Sequence, residues 1–372
     1  MKARKAMVAT LLAAPLLVVT ACSSGSSSST ETSAPAATDS GSASSSAAGP
    51  VSVDVGNGKP ITLKQGPLKV AFVMLDNQNS WEQHVLAAAE AKAKELGWSI
   101  DTFSSGFDVQ KELNVLRTIA TSGKYDVVAA VPIDGSQECN AITKDLPAAN
   151  ILVSVGDVPV CGLNKKPSTE QWTPGILTWV GGTGITIDYY EAWIKQVAAM
   201  NPGKQEVAFV TGIPQITVVQ TEHLAIDAVQ PTIPDFKLTV VETDFTTQGT
   251  YKALMTYLPA HPNTSVIMST GSVDMDKGAI NALKALGLEG KVTIVESGGT
   301  QYAFDQVKAG NIQSTFPYTP NFLGSTLVQA LADAQAGKTV EKYITDIPEG
   351  LGTFDNLTLL TKDNLNLFTP EY

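Results

Sequence analysis

The sequence predicts an α/β protein built as two doubly wound, Rossmann-like lobes joined by a hinge of three chain crossings. Three observations lead there. Ten short apolar runs read as strands, and helical patterns separate most of them, which is the mark of doubly wound structure. Ten strands are too many for one ordinary sheet with short loops and about right for two. The two halves also look alike. Lys69-Val70-Ala71-Phe72-Val73 opens the first series and Glu206-Val207-Ala208-Phe209-Val210 the second, each followed by a polar loop and a helix.

The chain begins with an address. Lys2, Arg4 and Lys5 form a basic start, and Met7 to Val19 is an apolar core interrupted by Pro15, too short for a permanent membrane span. Val19-Thr20-Ala21-Cys22 resembles a bacterial lipobox, so residues 1–21 are expected to be a lipoprotein signal peptide and Cys22 the lipidated residue. Ser23 to Pro50 is almost only Ser, Ala, Thr, Gly and Pro. It lacks the apolar residues that would offset its ordering entropy, so residues 22–65 are expected to be a disordered tether and lead-in. A lipid on a flexible tether holds a domain at the outer face of a cell membrane, and the lipid is its only membrane contact.

From about Gln65 the composition is globular. The strand candidates of the first half are Val70–Leu75, Ser99–Phe103, Val127–Val131, Ile151–Val155 and Leu177–Val180. Those of the second are Val207–Thr211, Leu238–Thr243, Val266–Ser269, Val292–Val295 and Ile312–Phe316. Helical patterns cover Trp81–Leu96, Val109–Thr121, Ser136–Ala149, Ile185–Met200, Thr217–Val229, Gly249–Leu258, Asp274–Leu286, Tyr302–Lys308 and Asn321–Ala336. Ser80 is placed to cap the first helix, with Gln83 completing a capping box, and Gly97 to end it. In an open parallel sheet ligands sit beyond the carboxyl ends of strands. Asn79 and Trp81 occupy such a loop. They read equally well as a turn residue and a core anchor, or as ligand contacts.

The chain carries 25 Lys+Arg against 36 Asp+Glu, and removing Lys2, Arg4 and Lys5 with the signal takes the net charge from −11 to −14. Nucleic-acid binding needs a basic footprint and is not expected. Of three cysteines Cys22 is taken by lipid. Cys139 and Cys161 remain, an even pair in an exported chain, and predict a disulfide. His84, His223 and His261 show no metal-ligand spacing, so neither metal nor cofactor is expected. Gly181-Gly182-Thr183-Gly184 follows a strand, yet the third glycine of a dinucleotide fingerprint would fall at Ile187. These glycines are read as a flexible crossover between lobes. Asp274 and Asp276 read as a solvated first helical turn. No P-loop, nucleophile elbow or zinc-protease motif occurs, and no enzyme is expected.

Five stretches carry a family resemblance: Val127-Val128-Ala129-Ala130-Val131-Pro132-Ile133-Asp134; Ile151-Leu152-Val153-Ser154-Val155-Gly156-Asp157; Met275 and Gly278 leading into Ala279-Ile280-Asn281-Ala282-Leu283; Val295-Glu296-Ser297-Gly298-Gly299-Thr300; and Thr315-Phe316-Pro317-Tyr318-Thr319-Pro320. In order and spacing, from about Gly66 to Leu360, the chain resembles the type 1 periplasmic solute-binding proteins of ABC importers, in particular the ribose-binding-like branch. The resemblance implies a first lobe of 66–181 and 320–347 and a second of 182–319 and 348–372. It implies a monomer that closes on a small sugar or polyol and presents it to an ABC permease. Asn79 and Trp81 stand where the family has an asparagine and a stacking aromatic, and Asp157 where it has a hydroxyl-binding aspartate. Phe245 stands for a second aromatic, and Tyr318 for a hinge-side glutamine. An arginine of the family falls near Val219 or Gln220, and an asparagine at Ser272. Val131, Val158 and Gly298 replace further polar partners. A sugar wants such partners because each buried hydroxyl left unpaired costs free energy. The losses leave room for a nucleoside or other less hydroxylated ring. A sensor lipoprotein would share this sequence pattern; a repressor would carry a basic helix-turn-helix in place of the export signal.

Overall fold

The computed structural model describes residues 49–372 apart from Ser272. The expected signal peptide and Cys22 lie outside the described residues. The first described element falls within the stretch read as disordered lead-in: β1 (Val51–Val53) and β2 (Ile61–Leu63) form an antiparallel hairpin. Val55, Ile61 and Leu63 are buried against the first lobe. The Asn150 side chain brackets this strand, accepting from Thr62 N (2.9 Å) and donating to Thr62 O (2.8 Å). Two three-residue strands are too short to show a period, which hid the hairpin from the sequence.

The first series then runs β3 (Lys69–Met74), α1 (Ser80–Glu95), β4 (Ser99–Ser104), α2 (Val109–Ser122), β5 (Val127–Val131), a π turn (Ala141–Asp145) running into α3 (Leu146–Ala148), β6 (Leu152–Gly156) and β7 (Thr178–Gly181). The second runs α4 (Ile187–Met200), β8 (Gln205–Thr211), α5 (Thr217–Val229), β9 (Phe236–Glu242), α6 (Thr247–Ala260), β10 (Thr264–Thr270), α7 (Val273–Leu286), β11 (Thr293–Gly298), α8 (Gln301–Ala309) and β12 (Ser314–Pro317). After these come α9 (Pro320–Gln335), β13 (Tyr343–Thr345) and a small hairpin of β14 (Gly352–Thr353) and β15 (Asn356–Leu357).

Val70 to Met74 are fully buried, because helices cover both faces of a parallel strand. The first sheet has the order β13-β7-β6-β5-β3-β4 and the second β12-β11-β10-β8-β9. Both are parallel, and each reverses direction of growth beside its first strand, β3 or β8. Helix α9 returns to the first sheet and packs on α1 so closely that Gly324 lies against the Val85 carbonyl, with no room for a Cβ. Leu351, Leu357 and Leu360 belong to the second core.

The predicted helix Ser136–Ala149 is not a regular α-helix. Pro147 has no N–H to offer the carbonyl four residues back, and its ring crowds that position. The turn widens, and Leu146 N donates to Ala141 O in π spacing. Cys139, just before this turn, is disulfide-bonded to Cys161 in the loop after β6.

Three segments pass between the sheets, after β7, after β12 and after β13. Asp346 ties all three. Its Oδ1 accepts from Thr183 N in the first crossing (2.8 Å), and its carbonyl accepts from Thr319 Oγ1 in the second (3.0 Å). Burial pushes its carboxyl up to about 6.

Other acids are buried without a base. Glu112 and Glu138 accept from Ile133 N and Asp134 N (both 3.1 Å) and lie beside each other. Burial pushes both carboxyls up, and Glu112 raises Glu138 further. In the second lobe burial likewise raises Asp276, to about 7, and Glu296. Asp276 is fully buried and accepts from Ser269 Oγ (2.9 Å), so it is not the solvated first-turn residue expected from sequence. Among the described residues no helix is long and apolar enough to cross a membrane.

Candidate ligand-binding site

The loops after β3, β4, β6, β7, β8, β9, β10 and β12 converge on a cavity of about 100 Å³ between the lobes. Carboxyl ends of strands in both sheets therefore face one space, as the topology of open α/β sheets requires. Asn79, Trp81, Asp157, Phe245 and Tyr318 all line it.

Asn79 is the N-cap of α1, in place of the Ser80 expected from sequence. Its Oδ1 accepts from Glu82 N (3.1 Å), and Glu82 Oε2 accepts in return from Asn79 N (3.3 Å). The capping box is thus Asn79–Glu82, one residue earlier than Ser80–Gln83. Gln83 instead donates to Asn77 O and Gln78 O. The cap fixes the first turn of α1, and so the position of Trp81, which is half-buried against the first core. Gly97 ends the helix at φ 69°, as predicted.

Asp157 follows β6 at φ 59°. Its N–H donates to Val180 O (2.8 Å), while its carboxyl receives no hydrogen bond from the protein. Burial pushes that carboxyl well up, and Asp346 and Glu82 push it further. Val158 lines the cavity beside it.

Phe245 also sits at positive φ, 62°, immediately before Thr246, the N-cap of α6. Its ring stacks on Phe107 across the lobes, with centroids 6.1 Å apart and planes 19° from parallel. Gly212 leaves the space that the Phe245 ring fills. Phe107 repeats the arrangement in the first lobe: φ 59°, immediately before Asp108, the N-cap of α2. Tyr318 lies over Gly184, where a Cβ would strike its ring, and its hydroxyl accepts from Ser297 Oγ (2.8 Å).

Gln220 is not in the cavity. It lies in a separate hollow with Asn164 and His223, and its Nε2 donates to Gln215 O (3.0 Å). On α5 the cleft face falls at Val218 and Glu222, four residues apart, and Val219 points into the core. Ser272 lies outside the described residues; its neighbour Gly271 lines the cavity.

Phe107, Glu82 and Glu222 are among the cavity residues that escaped sequence reasoning. Phe107 could have been found by aligning Gly106-Phe107-Asp108 with Asp244-Phe245-Thr246, since the halves repeat. Glu82 was visible only as the last member of an Asn-x-x-Glu capping box. Burial and then Asp76 push its carboxyl up to about 8. Glu222 gave no signal. It is buried with Oε2 accepting from Thr211 Oγ1 and Oε1 3.0 Å from the Tyr190 hydroxyl, and burial pushes it up to about 7. Tyr190 also contacts Gly184 O (2.5 Å). The Tyr190 hydroxyl is thus within donating distance of both Glu222 Oε1 and Gly184 O.

The lobes touch beside the cavity. Gly135 N donates to Thr217 Oγ1, and Thr217 N to Ile133 O, both at 3.3 Å. With the aromatic pair, these contacts hold the two strand-end surfaces together over the cavity. The cavity between these contacts is lined by carboxyls, tyrosine hydroxyls and aromatic faces.

Comparison with known proteins agrees with this architecture. A family model described as a periplasmic binding protein domain matches residues 70–339. A fructose import binding protein of Bifidobacterium longum, FruE, is 40% identical over 82 residues, 22% of this chain and 24% of that protein, so the match spans about a quarter of its length. The Caulobacter myo-inositol binding protein bound to myo-inositol superposes with TM-score 0.67 at 20% identity, covering 82% of this chain and 96% of that one. An ABC transporter solute-binding protein of Mycobacterium smegmatis with bound glycerol gives 0.66 at 20%, covering 81% and 96%. One from Actinobacillus succinogenes with bound D-allose gives 0.65 at 19%, covering 82% and 100%. With the family match spanning most of the sequence and a cleft at the strand ends of two parallel-sheet lobes, the chain belongs to the periplasmic binding protein domain family, as a type 1 solute-binding protein.

Proposed function

We propose that the protein is an extracytoplasmic, lipid-anchored solute-binding protein that captures a small sugar-like or polyol ligand by hinge closure and delivers it to an ABC permease. The observation that carries this reading is the cavity shared by both lobes, with Trp81 and Phe245 on its walls and Asp157 at a strand end. Contacts made with both lobes at once favour the closed form, and only that difference in affinity can shift the population. Aromatic faces suit the C–H faces of a polyol ring, and the Asp157 carboxyl, which has no hydrogen bond from the protein, has lone pairs left for hydroxyls. The relatives named above, with fructose, myo-inositol, glycerol and D-allose in their descriptions, support the same ligand class.

A thermal-shift screen of sugars and polyols tests the reading, because specific binding raises the unfolding temperature. With a ligand in hand, Asp157→Ala is expected to weaken it by about 1.5–3 kcal/mol, the range for a hydrogen bond to a charged group. Trp81→Ala should do comparable damage through lost stacking. If both variants fold and bind like the parent, the ligand does not use this cleft. The anchor rests on Val19-Thr20-Ala21-Cys22. Cys22→Ala should move the protein from the membrane fraction to the soluble one, and a variant that still pellets with membrane removes the lipid from the account.

A further inference from the structure

We propose that the ligand of this cleft carries one positively charged nitrogen, held by Glu82 and Asp157 against the face of Trp81, and is therefore an amine-bearing polyol or sugar. The inference rests on the reading of the cleft as a polyol site and narrows its chemistry.

It starts from the hydrogen-bonding balance of the lining. Four carboxyls stand at or beside the cavity: Glu82, Asp157 and Glu222 in its wall and Asp346 behind it. Two of them are satisfied inside the protein. Asp346 accepts from Thr183 N, and Glu222 is engaged by Thr211 and Tyr190. The other two have acceptor capacity left. Glu82 is 2% exposed, and the protein offers it one bond, at 3.3 Å from Asn79 N. Asp157 is offered none. They come from different elements, α1 and the loop after β6, and are close enough for Glu82 to raise Asp157.

No cation answers them. The cavity has no lysine, arginine or histidine in its wall, and none of the ion pairs among the described residues includes Glu82 or Asp157. Besides the carboxyls, the side-chain donors are the Asn79 amide, the Trp81 indole N–H and the hydroxyls of Thr183, Tyr190, Thr270 and Tyr318. A neutral polyol brings acceptors as well as donors and wants donors in return. An ammonium group brings donors and no acceptor. Glu82 is buried with one bond and Asp157 is partly buried with none, and a paired charge relieves the cost of acceptors left unfilled in such places. The face of Trp81 in the same wall adds attraction for a cation and none of the kind for a neutral hydroxyl.

Isothermal titration of the purified protein with matched probes decides the matter: glucosamine against glucose, and serinol against glycerol. The amine of at least one pair is expected to bind at least tenfold more tightly than its neutral partner. Glu82→Gln and Asp157→Asn, which keep size and shape, should each cut that preference severalfold. Tighter or equal binding of the neutral partner overturns the charged-ligand inference and leaves the polyol reading standing. Binding of no member of either pair overturns both. An amine preference that survives both substitutions overturns the assignment to these two carboxyls.

Discussion

The thermal midpoint of the protein is expected to fall by at least about 5 °C as the pH is raised from about 5.5 to about 8.5. Buried carboxyls without bases set the direction. Glu82 is pushed up to about 8, Glu222, Asp276 and Glu112 to about 7, and Asp346 to about 6, in each case first by burial. A group whose folded pKa lies above its unfolded value contributes stability that is complete below the unfolded value. That stability is lost as the pH rises through the folded one. The unfolded values lie near 4, so the loss spans about pH 5 to 8. Glu222 alone, moved from 4.5 to about 7, corresponds to about 3 kcal/mol at 1.36 kcal/mol for each pH unit. For a chain of this size about 1 kcal/mol moves the midpoint by about 2–4 °C. The carboxyls held low, Asp101 by Lys69 and Asp244 by Thr246, lie at the surface and act below pH 4. Differential scanning calorimetry across this range checks the expectation. A midpoint that is flat or rises with pH would show that these acids are ionised and compensated in the folded protein.

Replacing both Cys139 and Cys161 by serine is expected to cost about 3 kcal/mol of stability. Their separation is 22 residues, and in the chain-entropy model closing a loop of that size removes about this much freedom from the unfolded chain. The structure adds a local reason for a full effect. Cys161 N donates to Gly135 O (2.7 Å), and Gly135 lies against the Pro159 carbonyl with no space for a Cβ. The bond therefore pins two loops already in contact, one of which makes the interlobe bonds to Thr217. Urea unfolding of the double variant against the parent measures the cost. A difference under about 0.5 kcal/mol, the scale of a neutral surface change, would mean that the loops hold each other without the bond.

The strands were legible because a parallel strand covered on both faces must be a continuous apolar run, and Val70 to Met74 or Val127 to Val131 can be little else at their length. The cleft was legible in part, because carboxyl ends of such strands are where the loops converge. What the sequence could not show depends on tertiary burial. Glu82 and Glu222 each sit on a helix, where a glutamate reads as a solvated face until a second lobe covers it. Gln220 and Glu222 differ by two positions, and only the rotation of α5 against the sheet decides which one meets the cavity. Asn79 and Ser80 each have a capping-box partner three residues on, Glu82 or Gln83; the structure uses Asn79 with Glu82, and Gln83 donates to Asn77 O and Gln78 O.

The Phe107–Phe245 contact joins rings from different lobes, so it exists only while the lobes are together. It is an affinity for the shut state that the protein owns by itself. An aromatic pair is worth about 0.5–1.5 kcal/mol beyond its area, which multiplies the shut fraction of a mostly open molecule about two- to thirteenfold. A ligand that binds only the shut form then meets a larger competent population, and its apparent affinity rises by the same factor. The cost appears at unloading. Whatever opens the lobes must separate the two rings as well, so every gain in affinity from this contact is matched by a harder opening when the cleft is emptied.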